Sequence, residues 1–183
     1  ANIDKKYLVG KDKDISAKDI QFDQDGTKFV LVLGEKEYNV HTKLLGEHNV
    51  QNILLCVQMA KCLGLSDQQI VRGIKSLQPV PHRLELVKTA TNLILDDSFN
   101  ANIRGSKIAL DVLGKLPGRK IVITPGLVEL GEREYDENVV FGEQIAGVAD
   151  FVIIVNKVNF EAIKQGIDNK KFKEENNSQT ETL

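Results

Sequence analysis

The segment Leu93-Ile-Leu-Asp-Asp-Ser-Phe-Asn-Ala-Asn102 joins a short apolar strand to a polar turn. Apolar residues then recur at helical spacing from Ile103 to Leu116, so the chain passes here from a strand into a helix. Asn102 is suited to cap that helix, because its side chain can accept a hydrogen bond from a first-turn N–H. Open α/β sheets bind ligands outside the carboxyl ends of their strands, so this polar turn is a candidate site.

Two further strand–helix units follow this segment. Residues 120–124 and 151–155 are almost wholly apolar runs of strand length, which are typical of parallel strands covered on both faces. Helices are expected from about Asp136 to Val148 and from Asn159 to Ile167. The alternation predicts an α/β fold with a doubly wound, mostly parallel sheet. Its right-handed crossovers should place the loops at 96–102, 124–132 and 156–159 on one rim.

The chain before this region has a different pattern. Strand signals at residues 20–22, 28–33 and 36–40 are separated by hairpin turns. Residues 1–19 carry many charges and little periodicity, so we expect a frayed or poorly anchored start. One helix is expected from about Asn49 to Leu63, and a second begins at Ser66, which forms a capping box with Gln69. Three such short strands cannot bury a core of their own, so we expect the chain to begin within a longer protein.

Pro79 and Pro81 interrupt helical structure and mark the expected domain boundary. Residues 1–78 are then the end of one domain, made of short antiparallel strands and two helices. Residues 79–167 form a second domain, which we expect to be truncated. Residues 168–183 are charged and amide-rich, with almost nothing to bury, and are expected to be disordered.

Composition excludes several classes of protein. The formal net charge of -2 gives no preference for nucleic acid or anionic membranes. No apolar run approaches the roughly 20 residues that span a bilayer, and no export signal is present. Cys56 and Cys62 are expected to be small buried side chains rather than a disulfide or a metal site. These features indicate a cytoplasmic protein that neither binds nucleic acid nor inserts into membranes.

The residues alone support a ligand site on the rim and nothing more specific, since the sequence has no phosphate-binding Gly-x-x-x-x-Gly-Lys-Ser/Thr motif. Three motifs in order are more informative: Gly46-Glu-His-Asn-Val-Gln-Asn52, His82-Arg-Leu-Glu85 and Asp96-Asp-Ser-Phe-Asn-Ala-Asn102. This series resembles that of the Mur ligases over roughly residues 20–165. The third motif and Val128-Glu-Leu-Gly-Glu132 are closest to the members that add D-alanyl-D-alanine.

The resemblance implies an ATPase domain followed by a Rossmann-like acceptor-binding domain, in a monomer. It implies a ligase of peptidoglycan precursor synthesis that joins D-alanyl-D-alanine, or a related amine, to a UDP-N-acetylmuramoyl-peptide through an acyl phosphate. ATP and Mg²⁺ are the implied cofactors. The family's phosphate loop and magnesium ligands would precede Ala1, so we assign no catalytic or metal-binding residue here and expect this fragment to be inactive.

The resemblance also implies roles for individual residues. Asn49 and Asn52 would approach the adenine, His48 would line the nucleotide site, Arg83 would reach the nucleotide and Asp97 would hold the ribose hydroxyls. The acceptor would lie beside four further side chains: Phe99, Asn100, Asn102 and Glu129. The sequence departs from the family at Asn138, which stands about where a histidine is common.

Simpler roles remain open for most of these residues. Asn49 and Asn102 could act as helix caps, Asn52 could be a solvated surface residue, and Arg83 could form a surface ion pair with Glu85. Two other functions also remain open. The chain could be a non-catalytic Rossmann-like binding module, or belong to a folylpolyglutamate-synthetase-like ligase, although the segment 98–102 speaks against the second.

Overall fold

The computed structural model describes residues 7–11, 13–99, 101–155 and 157–180. The chain divides into two compact units, Ala1–Ile94 and Leu95–Leu183, called unit 1 and unit 2 below. Each unit has its own cluster of buried apolar side chains. The domain boundary predicted near Pro79 stays a prediction.

Unit 1 begins with an antiparallel sheet of three strands, β1 (Ile15–Asp23), β2 (Gly26–Leu33) and β3 (Lys36–Thr42), in the order β1-β2-β3. Alternate residues of β2, namely Phe29, Leu31 and Leu33, are buried, as expected for a strand with one face on a core. The strand β1 starts five residues before the predicted position. The expectation of a frayed start is therefore wrong from Ile15 onward, because that side chain is part of the core and only 7% exposed.

Two helices cover this sheet, α1 (Glu47–Cys62) and α2 (Asp67–Ser76). Four residues of α1 at helical spacing are buried: Val50, Ile53, Leu54 and Val57. The predicted capping box is confirmed, since Ser66 and Gln69 exchange side-chain and backbone hydrogen bonds at the start of α2. The cysteine prediction is wrong in part. Both cysteines are free, but they are exposed on α1 rather than buried.

A hairpin follows, formed by β4 (Glu85–Lys88) and β5 (Leu93–Asp96). Thr89 closes its turn: the Thr89 N–H donates to the carbonyl of Asn92 at 2.9 Å, and the Asn92 N–H donates to Thr89 Oγ1 at 3.0 Å. The sequence predicts this strand pair, with strands at residues 83–88 and 92–95 around a turn at 89–91, and the structure confirms it. The second strand, β5, leads directly into the polar segment that begins at Asp96.

Unit 2 continues with α3 (Ile103–Lys115), β6 (Ile121–Thr124), α4 (Glu134–Ala146), β7 (Phe151–Ile154) and α5 (Phe160–Thr180). The strands β6 and β7 are parallel, which confirms the α/β class. In the described part of the chain this parallel sheet has two strands, because β5 pairs with β4 instead. The predicted three-unit sheet is therefore reduced to one strand pair.

One face of the β6–β7 pair is buried and the other is not. Val122 and Thr124 are buried, and Val122 lies in a cluster with apolar residues of α3, α4 and α5. The alternate residues Ile121, Ile123, Phe151 and Ile153 are exposed. The expectation that helices cover both faces is wrong for this unit, because all three helices contribute to the same cluster.

The helices α4 and α5 approach closely through two glycines. A Cβ atom at Gly142 would collide with the Ile163 carbonyl, and one at Gly166 would collide with the Val139 carbonyl.

The helix α5 continues to Thr180, through most of the segment 168–183 for which disorder was expected. No proline or glycine follows Gly166 to interrupt it. Among the described residues, no helix combines the length and apolarity needed to cross a membrane.

Candidate functional site

The start of α1 is fixed by two buried threonines of the sheet. Thr27 Oγ1 donates to the Leu44 carbonyl at 2.6 Å and accepts from the Gly46 N–H at 3.1 Å. Thr42 Oγ1 accepts from the Leu44 N–H at 3.4 Å. These bonds satisfy backbone groups in the connection between β3 and α1, so the helix begins at a defined place on the sheet.

Three predicted nucleotide-binding residues lie in the first two turns of α1. His48 and Asn49 are half-buried, whereas Asn52 is exposed. Gly46 occupies the N-cap position, so the capping role considered for Asn49 is wrong. The Asn49 side chain instead donates from Nδ2 to the Leu45 carbonyl at 2.8 Å. The structure therefore places these three residues together at one end of a helix, with Asn52 facing solvent.

Arg83 lies in an irregular connection between α2 and β4. Its neighbours His82 and Leu84 both have positive φ, 62° and 49°, although neither is glycine. Leu84 is buried, and the His82 N–H donates to Glu85 Oε2 at 3.1 Å. Residues other than glycine rarely adopt such φ values, and those that do so cluster at functional sites. The exposed Arg83 side chain is thus presented by a conformationally constrained backbone.

In unit 2, the polar segment after β5 forms a side-chain turn followed by a helix cap. Asp96 Oδ1 accepts from the Ser98 N–H at 3.1 Å and from Ser98 Oγ at 2.7 Å. Asn102 Oδ1 accepts from the Gly105 N–H at 2.9 Å, which confirms its role as the N-cap of α3. Asp97 is half-buried and the Phe99 ring is 62% exposed. Asn100, a predicted acceptor ligand, lies outside the described residues.

The loop after β6, residues 125–130, carries Glu129 and is held by two buried asparagines. Asn138 of α4 accepts from the Leu127 N–H at 2.8 Å and donates to the Leu127 carbonyl at 2.8 Å. Asn159, just before α5, also donates to the Leu127 carbonyl, at 3.1 Å. Glu129 itself is exposed and has φ 63°. Its carboxylate is placed at the surface by a loop whose backbone is fixed from inside.

The two polar segments of unit 2 rest on the same apolar cluster. Leu127 of the loop is a member of this cluster, and Ala101, Ile103 and Leu130 pack against it. The segment with Asp97, Phe99 and Asn102 and the loop with Glu129 are thus each anchored on one cluster within unit 2. His48, Asn49, Asn52 and Arg83 belong to unit 1.

A cluster of groups with shifted pKa values lies where α2 meets β3. The Asp67 carboxylate accepts from Lys61 Nζ at 2.8 Å and from the Tyr38 hydroxyl at 2.9 Å. Two hydrogen bonds hold the pKa of Asp67 below its ordinary value, and the one from Lys61 has a larger effect than the one from Tyr38. The hydrogen bond between Tyr38 and Asp67 also raises the pKa of Tyr38. This cluster ties α2 to the sheet and has the geometry of a structural contact rather than a substrate site.

Sequence reasoning assigned no role to Asn138 or Asn159. Asn138 was noted only as a departure from the family pattern, and Asn159 only as the start of a helix. The sequence does contain a signal for them. Asn138 lies within, and Asn159 beside, a stretch whose apolar residues have the spacing of a buried helix face. A buried carboxamide needs hydrogen-bond partners, and here those partners are backbone groups of the loop.

Comparison with known proteins gives a consistent result. Residues 2–60 match the family model described as the Mur ligase middle domain. The UDP-N-acetylmuramoyl-tripeptide–D-alanyl-D-alanine ligase of Escherichia coli is 33% identical over 147 residues, which are 79% of this chain and 32% of that protein.

Solved structures agree with the sequence relatives. MurF from Acinetobacter baumannii superposes with a TM-score of 0.79 at 30% identity, covering 86% of this chain and 35% of that chain. MurF ligase from Thermotoga maritima, in complex with ADP, has a TM-score of 0.72 at 22% identity, covering 84% of this chain and 36% of that one, and shows a shared fold. The chain spans about a third of the length of these relatives.

Proposed function

Because the chain belongs to the Mur ligase family, we propose that it forms part of an ATP-dependent ligase of peptidoglycan precursor synthesis. This ligase joins D-alanyl-D-alanine, or a related amine, to a UDP-N-acetylmuramoyl-peptide. A carboxylate of the peptide takes the terminal phosphoryl group of ATP, and ADP leaves. The acceptor amine then attacks the acyl carbon, phosphate leaves with the electrons of the C–O bond, a proton is released and an amide remains.

The observation that carries the proposal is the arrangement of unit 2. Two polar segments, at the end of β5 and after β6, rest on one apolar cluster, as the rim of an open α/β sheet does when it binds a ligand. Several curated relatives that match over most of the chain are named as ligases of D-alanyl-D-alanine, an amine with a positive and a negative end. Others with similar coverage are named as ligases of D-glutamate. The rim offers groups suited to both ends.

The proposed acceptor site uses Phe99, Asn100, Asn102 and Glu129. The exposed Glu129 carboxylate binds the ammonium group of the dipeptide through a charge-assisted hydrogen bond. The asparagine carboxamides can donate to its carboxylate, and the exposed Phe99 ring covers its methyl groups. Asn102 keeps its oxygen on the α3 cap, so its contribution to the ligand comes from its NH₂ group.

We propose nucleotide-binding roles, each taken residue by residue, for His48, Asn49, Asn52, Arg83 and Asp97. A carboxamide such as that of Asn52, exposed on α1, can pair with both a ring nitrogen and an exocyclic amine of adenine. The Arg83 guanidinium can donate two parallel hydrogen bonds to a phosphate, and the Asp97 carboxylate can accept from ribose hydroxyls. ATP supplies the phosphoryl group that activates the peptide carboxylate.

Among the described residues, no three His, Cys, Asp or Glu side chains come together as metal ligands, and we assign no step in this chain to Mg²⁺. The proposal also includes a monomer in the cytoplasm, where ATP and UDP-linked precursors are present.

The experiment that tests the acceptor site is a titration of the 183-residue chain with D-alanyl-D-alanine, followed by NMR of labelled backbone amides. Saturable shifts are expected at residues 97–102 and 127–130. Glu129→Gln should weaken binding about tenfold, the order expected for a hydrogen bond between charged groups. The matched control is Glu161→Gln, which removes an exposed carboxylate from α5 of the same unit and should leave affinity unchanged.

Other outcomes would count against the proposal. Shifts with L-glutamate but not with D-alanyl-D-alanine would favour the folylpolyglutamate-synthetase-like alternative. A response to neither ligand would favour a non-catalytic binding module.

A further inference from the structure

We infer that Asn138 and Asn159 are positioning residues of the acceptor site, which fix the loop 125–130 so that Glu129 meets the ammonium group of the acceptor. This inference rests on the proposed function. It adds two buried side chains, from α4 and from just before α5, to a site whose described ligand-binding residues, Phe99, Asn102 and Glu129, are exposed.

Asn138 uses its whole carboxamide on backbone groups. Oδ1 accepts from the Leu127 N–H, and Nδ2 donates to the carbonyls of Leu127 and Glu134, each at 2.8 Å. The side chain is completely buried, and so is most of Leu127. A buried amide that lost these partners would carry a desolvation penalty, so the loop and the α4 side chain hold each other in place.

Asn159 holds the same loop residue from a different element. Its Nδ2 donates to the Leu127 carbonyl at 3.1 Å and lies 3.5 Å from the Pro125 carbonyl, and the residue is 4% exposed. The Leu127 carbonyl thus accepts from both asparagines, one for each of its lone pairs. Asn159 reaches the loop from the start of α5, which packs tightly on α4 through Gly142 and Gly166.

Glu129 lies between two anchored residues. On one side, Leu127 is held by both asparagines. On the other, the Leu130 N–H donates to Glu134 Oε2 at 3.4 Å. With its own φ at 63°, Glu129 sits in a left-handed conformation between these two anchors, so the direction in which its side chain leaves the backbone is set by them. Loosening Leu127 therefore redirects Glu129 without touching it.

The test compares two ligands, D-alanyl-D-alanine and N-acetyl-D-alanyl-D-alanine, which lacks the ammonium group. The unsubstituted chain should prefer the free amine by about tenfold, the order of a hydrogen bond to a charged group. Asn138→Leu, which keeps a side chain of similar size but no hydrogen-bonding atoms, should reduce this preference to about one. General loss of folded protein weakens both ligands equally, so the ratio reports on Glu129 alone.

A double-mutant cycle strengthens the test. If Asn138 acts through Glu129, then Glu129→Gln should lower the preference in the unsubstituted chain and change nothing further in Asn138→Leu. The matched control is Asn169→Leu. Asn169 lies on α5 and its Nδ2 is 3.5 Å from Glu143 Oε1 of α4, so this substitution disturbs the same helix pair without touching the loop. It should keep the tenfold preference.

The outcomes are distinct. A preference that survives in Asn138→Leu, or equal losses in Asn138→Leu and Asn169→Leu, overturns the inference and leaves the proposed function standing. Absence of any binding by the unsubstituted chain overturns the proposed function, and the inference with it. If Asn138→Leu fails to fold, Asn159→Ala replaces it, because that substitution removes one of the two donors to the Leu127 carbonyl and should lower the preference; retention of the full preference there overturns the inference.

Discussion

Replacing Gly126 by alanine tests the packing of the loop directly. A Cβ atom there would lie 2.6 Å from Asn159 Cβ, 2.8 Å from Asn138 Oδ1 and 2.9 Å from Asn159 Nδ2. Forcing an extra methyl group into a filled space costs about 1–3 kcal/mol. The residue also has φ +89°, and a left-handed backbone costs an L-residue about 1–2 kcal/mol. Together, Gly126→Ala should lower the free energy of unfolding of unit 2 by about 2–5 kcal/mol.

Gly118→Ala separates the two contributions. Gly118 belongs to the same unit and has almost the same φ, +87°, but a Cβ there would meet nothing within 4 Å. It should therefore cost only the backbone part, about 1–2 kcal/mol. The assay is urea unfolding followed through NMR signals of unit 2 residues, with the slope m compared between variants. Equal destabilisation by the two substitutions, at unchanged m, would refute the reasoning that Asn138 and Asn159 fill the space beside Gly126.

Two further predictions concern unit 1. Thr27→Val keeps the side-chain shape but deprives the Leu44 carbonyl and the Gly46 N–H of their partner, so it should lower the free energy of unfolding by about 1–3 kcal/mol in urea titrations; a loss below the measurement error would contradict the role given to Thr27. Because the pKa of Asp67 is lowered in the folded state, its ionised carboxylate stabilises unit 1. This contribution is complete above pH 3.8, the ordinary pKa of the group, and is lost as the pH falls through the lower pKa of the folded state. The stability difference between the unsubstituted chain and Asp67→Asn should therefore shrink in acid, and a difference that stayed constant from neutral pH to pH 2 would show that the Lys61 contact has no such effect.

Local chemistry made much of the fold predictable. The capping box of Ser66 and Gln69 and the cap that Asn102 forms on α3 could both be predicted, because each interaction involves residues within one helical turn. The alternating pattern of β2 and the apolar stripe of α1 are also local, and they identified the core of unit 1. The start of β1 at Ile15 was missed, because a single apolar residue among charges gives no periodic signal until it pairs with Leu33.

The remaining features depend on contacts between distant residues. The strands β6 and β7 are apolar on both faces, and this pattern predicted a sheet covered by helices on both faces. The sequence cannot specify that α3, α4 and α5 all contribute to one cluster. Asn138 and Asn159 contact a loop 11 and 32 residues away, so no local pattern reveals their partners. The site residues themselves were identified by resemblance, and their roles stay predictions.

The central claim is that unit 2 binds an amine acceptor on its polar rim, between the segment 97–102 and the loop that carries Glu129. The most direct measurement is an isotope-filtered NOE experiment on the labelled chain with unlabelled D-alanyl-D-alanine. We expect NOEs from the alanyl methyl groups to the Phe99 ring and from the amino end of the dipeptide to the Glu129 side chain. NOEs confined to residues of unit 1, or to the exposed face of β6 and β7, would contradict it.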